Sequence, residues 1–214
     1  MFEEFAAITP INFFQFQANV RQTKEAFPSL TEKNYKKYLL PDLSSLCSED
    51  AFAQVACGWS TEGVEFYVES TEAFTRSSFP DVVRGDSIEL WIDPRDIKTA
   101  GFNTRFCHHF FFLLEAIDGH VAGEITRFRT EDAHELCDPH RLEIKAKLYT
   151  NGYRAQIFIP NDCLHGYDPD QFDRLGFTYR INRAKGFAQH YSVVTEDYQI
   201  EQQPSLWSSL KLIR

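Results

Sequence analysis

The chain has 214 residues, 43% of them hydrophobic and 25% charged, enough apolar material for a packed core. Its 31 acidic and 22 basic residues give a net charge of -9 with no local basic patch, which argues against a nucleic-acid partner or an anionic membrane held by phosphate neutralisation. Twenty Phe, nine Tyr and three Trp against one Met favour aromatic-packed sheets over Met- and Leu-rich helix bundles.

The start, Met1-Phe2-Glu3-Glu4-Phe5, has no basic leader, and no apolar run reaches the ~18 residues of a membrane span, so a cytoplasmic chain is expected. The five cysteines, Cys47, Cys57, Cys107, Cys137 and Cys163, are odd in number, scattered and without a C-x-x-C pair, which predicts reduced thiols.

In chain order, residues 11–20 have the composition of an opening strand. Residues 21–50 carry Pro28, Pro41 and a Lys33-Asn34-Tyr35-Lys36-Lys37 cluster, the mark of a long irregular connection with at most a helical turn. Phe52–Trp59 and Val64–Glu69 form a predicted hairpin, with Val64, Phe66 and Val68 facing in and Glu65 and Glu69 facing water. Residues 86–93 alternate cleanly, Ile88, Leu90 and Ile92 on one face and Glu89, Trp91 and Asp93 on the other, before Pro94 ends the strand. Arg105–Glu115 is apolar on both faces, as in a central strand covered on both sides. Arg141–Thr150 turns at Asn151-Gly152 into Tyr153–Ile159, and Gly176–Asn182, Gln189–Thr195 and Leu206–Ile213 complete about ten strands. With no long amphipathic helix, repeat or linker, the expected architecture is all-β: one antiparallel, jelly-roll-like β-sandwich over residues 1–214.

Four stretches in this order and spacing, with a closing Pro204-Ser205-Leu206-Trp207, resemble carbohydrate-binding module family 9 and its DOMON-like relatives from about residue 50 onward. They are residues 57–64 (CGWSTEGV), 85–94 (GDSIELWIDP), 151–160 (NGYRAQIFIP) and 175–182 (LGFTYRIN). The resemblance implies a non-catalytic sandwich that binds a sugar, or in the DOMON branch haem or sugar. The only methionine is Met1, which excludes Met/His haem ligation. A fold analogy does not supply a function by itself, so the site must be argued from its residues.

Trp91 is the leading candidate for a ligand platform, because its strand points it away from Ile88, Leu90 and Ile92 and sets it between two acids. The alternative is an indole covered by the 21–50 connection or by another strand of the sheet. Trp59 and Trp207 are assigned structural positions. If their polar faces share one concave sheet, Trp91, Glu89, Arg105, His109, Arg180 and Asn182 line a groove suited to hydroxyls or a carboxylate; otherwise these are ordinary solvent-facing residues.

His134-x2-Cys137-x2-His140, with Cys107, His108 or His109, offers zinc-type ligands but matches no standard zinc pattern. Asp93, Asp96, Asp118 and Glu124 lack an Asp-rich calcium loop, although the family resemblance allows a structural calcium. No cofactor is therefore expected. Glu89 and Asp93 lie about 13 Å apart along a strand, beyond the roughly 5–9.5 Å of paired glycosidase carboxylates, and no nucleophile elbow, Walker loop or dinucleotide motif occurs. Arg84-Gly85-Asp86 is explained as a turn. The expected role is a non-enzymatic module for a glycan or other small molecule, with a protein-interaction module, and then a metal-dependent enzyme using the Cys107–His140 ligands, as alternatives.

Overall fold

Residues 16–24, 27–193 and 198–214 are described by a computed structural model, apart from the side chains of Leu46 and Cys47. Among them run eleven strands: β1 (Gln17–Gln22), β2 (Ala53–Ser60), β3 (Gly63–Ser70), β4 (Ser87–Asp93), β5 (His108–Ile117), β6 (His120–Glu124), β7 (Glu143–Tyr149), β8 (Gly152–Pro160), β9 (Arg174–Asn182), β10 (Gln189–His190) and β11 (Ser208–Ile213). Among the described residues the helical elements are short 3-10 turns, with Tyr198 also helical. None is long and apolar enough to cross a membrane.

The hydrogen-bonded order is β6-β5-β4-β9-β11-β1-β2-β3-β8-β7, with β10 added beside β9. Alternation dictates how this sheet folds over. Ile88, Leu90 and Ile92 of β4, with Phe110 and Phe112 of β5 and Phe177 of β9, face Val64, Phe66 and Val68 of β3 and Ile157 and Ile159 of β8 across one core. Phe66 stacks on Phe177 with ring centroids 5.4 Å apart, an inter-layer contact. The far ends of the path also meet, β7 lying against β5 and β6, so the sandwich is nearly closed.

The expectation of purely antiparallel pairing fails at β1, which is parallel to both β11 and β2. Parallel neighbours require a long crossover, and the irregular connection between β1 and β2 supplies it. β1 overlaps the expected strand at residues 17–20, while residues 11–15 lie outside the described residues. The Arg105 strand starts at His108, the Leu206 strand at Ser208, and of the Gln189–Thr195 strand Gln189–His190 is β-strand while residues 194–195 lie outside the described residues. At Gly63 a Cβ would stand 2.2 Å from the Ile159 carbonyl oxygen, so only glycine lets β3 begin this close to β8.

The core side of the β2–β3 hairpin is as expected, but Glu65 does not face water: it is 3% exposed. The connection folds over that face, Leu30 and Tyr35 packing on Ala56 and Tyr67. The backbone N–H groups of Ser29 and Leu30 donate to the Glu65 carboxylate at 3.0 and 2.8 Å. Burial pushes this carboxyl from 4.5 up to about 7, outweighing those two donors and the Lys145 charge. A raised folded-state pKa means that the contribution is complete below about pH 4.5 and is lost as pH rises through about 7, at most about 3 kcal/mol. Urea unfolding from pH 4.5 to 8 should therefore show a decline for the native chain that Glu65→Gln flattens. A stability difference between the two that does not change with pH would refute this.

Candidate functional site

Three adjacent strands bring most of the expected groove residues onto one face. In the β4 registers Trp91 lies opposite His109 of β5 and Thr178 of β9, Glu89 opposite Arg180, and Ser87 opposite Asn182. The Glu89 carboxylate collects donors from all sides. Oε1 is 2.9 Å from His109 Nε2, and Oε2 accepts from Arg180 Nε at 2.8 Å and Asn182 Nδ2 at 2.6 Å. Arg180 Nη2 adds a 2.7 Å ion pair, making the guanidinium contact two-pronged. Burial alone would raise the Glu89 pKa, but the hydrogen bond and charge of His109, the charge of Arg180 and the Asn182 amide bring it down to about 2.

Above this network lies a pocket of about 570 Å³, its floor containing Glu89, His109 and Arg180 and its walls Val82, Val83, Ile125, Arg127, Glu201 and Gln202. Arg180 Nη1 reaches Glu201 Oε1 at 3.4 Å, linking floor to wall. The cavity thus offers apolar surface from Val83 and Ile125 beside fixed donors and acceptors, the chemical make-up that orienting a polar small molecule requires.

Two expectations about this groove need correction. Trp91 faces away from the main core, as alternation requires, yet it is fully buried. Its indole stacks on His109 at 4.2 Å and packs with Cys107, Val193, Ile200 and Trp207. It is therefore the packed support beneath the floor and not an exposed platform; the cover comes from the segment leading into β11, not from the 21–50 connection. Arg105 does not join the group. It precedes β5 and pairs with Asp132. Trp59 and Trp207 are buried, as assigned.

The opposite face of β5 carries a second cluster. His108, adjacent to His109 and pointing the other way, places Nδ1 2.9 Å from Glu124 Oε1, and His134 places Nε2 2.9 Å from the same oxygen. The Thr126 hydroxyl donates to Oε1 at 2.6 Å and the Cys137 N–H to Oε2 at 2.7 Å. Burial would raise the Glu124 pKa, but the two histidines and Thr126 hold it well below the usual carboxylate range. A second pocket of about 570 Å³, lined by His108, His134 and His165, opens beside them.

This replaces the expected ligand set. Cys137 is not a thiol: it forms a disulfide with Cys163, Cα atoms 5.0 Å apart and 26 residues distant in sequence, so the expectation of reduced thiols is also wrong here. Cys57 and Cys107 are buried and free. His140 is exposed in a 3-10 turn and outside the group. Among the described residues the carboxylates of Asp93, Asp96, Asp118 and Glu124 form no common cluster. Asp96 is instead paired with a side-chain cation, Lys98 Nζ lying 2.6 Å from Asp96 Oδ1.

Sequence reasoning missed Glu201 and Arg127 as pocket walls, and neither carries a local signal: Glu201 sits in a 3-10 turn and Arg127 follows β6. Strand β6 itself was detectable, because Asp118-Gly119 is a hairpin dipeptide, and both residues adopt positive φ, 50° and 82°.

No family model matches the chain, and no curated protein matches it. Solved structures do. Two structures of a carbohydrate-binding module family 9 domain from Caldicellulosiruptor kristjanssonii, in complex with cellotriose and with glucose, align over 92% of this chain and 93% and 96% of theirs, with TM-scores of 0.66 and 0.67 at 17% identity. A Bacteroides uniformis protein described as carbohydrate-binding aligns over 94% of this chain and all of its own, with a TM-score of 0.60 at 6% identity. At such identities the likeness establishes the fold alone.

Proposed function

We infer, for a chain with the fold of carbohydrate-binding module family 9, that it is a non-catalytic carbohydrate-binding domain whose ligand enters the pocket over β4, β5 and β9. The observation that carries this is the pocket floor: Glu89, His109 and Arg180, each less than a tenth exposed, are locked to one another before any ligand arrives. Preorganised polar groups lose little freedom on binding, and a sugar's hydroxyls require acceptors and donors of fixed direction. Glu201 and Arg127 would accept from and donate to hydroxyls at the wall, while Val83 and Ile125 would meet C–H faces. The fold neighbours bind glucose and cellotriose, which supports neutral glucosides as first probes. The Cys137–Cys163 disulfide supports an oxidising compartment over the cytoplasmic reading.

Calorimetric titration with glucose, cello-oligosaccharides and a broader glycan panel tests this. At least one glycan should bind, and Glu201→Gln and Arg127→Ala, both at the partly solvated wall, should each weaken binding roughly 10-fold or more with the melting temperature unchanged. Absence of binding across the panel, or affinity untouched in both variants, would count against it.

A further inference from the structure

Two histidines from different parts of the chain converge on one buried carboxylate oxygen. We propose that His108, Glu124 and His134 form a binding site for a zinc-class divalent cation, with a fourth position open to the adjoining pocket.

The ligand atoms of the three residues lie within 4.8 Å of one another, and each histidine nitrogen is 2.9 Å from Glu124 Oε1. A tetrahedral zinc ion with bonds of about 2.0–2.1 Å separates its ligand atoms by about 3.3 Å, so the two nitrogen–oxygen separations need widen by only about 0.4 Å, while the nitrogen–nitrogen separation lies within 4.8 Å and side-chain rotation closes it. Two imidazoles and one carboxylate suit zinc; calcium and magnesium prefer all-oxygen shells.

The surroundings orient the ligands as a metal requires. His134 Nδ1 lies 2.6 Å from the Arg105 carbonyl oxygen, which places a proton on that nitrogen. In the neutral ring Nε2 then presents a lone pair to a carboxylate, a repulsive contact that a bridging cation turns into an attractive one. Glu124 is fixed in turn by Thr126 and by the Cys137 N–H, and the Cys137–Cys163 disulfide ties the segment bearing His134 to the turn after β8. The Glu124 side chain is fully buried, and among the described residues its ion-pair partners are the two histidines and no lysine or arginine, so a cation shared with the two imidazoles would neutralise its charge directly. An extra proton on His134 is the competing solution, and metal stoichiometry separates the two.

The test uses the full chain without a histidine tag, stripped with chelator and dialysed against Zn²⁺, with bound metal read by elemental analysis. One equivalent is expected. His134→Ala and Glu124→Gln should each weaken binding about 100-fold or more, and His140→Ala should leave it intact. Should Glu124→Gln fail to fold, His134→Ala at the pocket edge decides. No saturable uptake, uptake that survives His134→Ala, or uptake lost with His140→Ala would each overturn the assignment.

Discussion

Replacing Trp91 with alanine is expected to cost about 3–5 kcal/mol and to lower the melting temperature on the order of 10 °C. The indole is wholly buried, stacked on His109, and roofed by Ile200 and Trp207 from segments whose only local order is 3-10 turns. Truncation leaves a cavity lined partly by strands, which cannot collapse into it without breaking register. The Arg180 guanidinium lies 5.5 Å from the indole ring, so the change also removes support from the pocket floor. An unchanged melting temperature would show that the ring is not a packing element.

Arg180→Met is the second large effect, about 3–5 kcal/mol at neutral pH, because it leaves the Glu89 carboxylate buried without its two-pronged partner. The sign of its pH dependence follows from the folded-state pKa. Glu89 is held from 4.5 down to about 2, so its contribution in the native chain is present above about pH 4.5 and is lost as pH falls through about 2. In the variant that contribution is already diminished, and the gap between the two proteins should narrow over the same interval. Glu89→Gln in the Arg180→Met background should recover part of the loss, since the unpaired charge is then gone. Strict additivity of the two single changes, or a gap that widens in acid, would contradict this account of the network.

The strands and their faces were legible because side-chain alternation is a local property. It separated Ile88, Leu90 and Ile92 from Glu89 and Trp91, and it sent His108 and His109 to opposite sides of β5. Five of the six groove residues consequently meet, and Arg105 fails because it precedes the strand whose alternation was extended to it. What covers a face is not local. Trp91 and Glu65 both point outward from the core, but irregular segments, Ile200 to Trp207 and Ser29 to Leu30, fold over them, and such segments carry no periodicity to read. The disulfide was hidden for the same reason: the sandwich places Cys137 beside Cys163, and their spacing does not. The parallel placement of β1 likewise depends on where the two ends of the chain meet.

Backbone amide shift mapping during titration with a bound glycan tests most directly whether the floor of Glu89, His109 and Arg180 is the ligand site. The expected result is saturable shifts concentrated at His109, Ile125, Arg180 and Glu201, around the pocket they line. Saturable shifts confined instead to the cavity bordered by Tyr35, Gln54 and Tyr179, with none at those four positions, would contradict it.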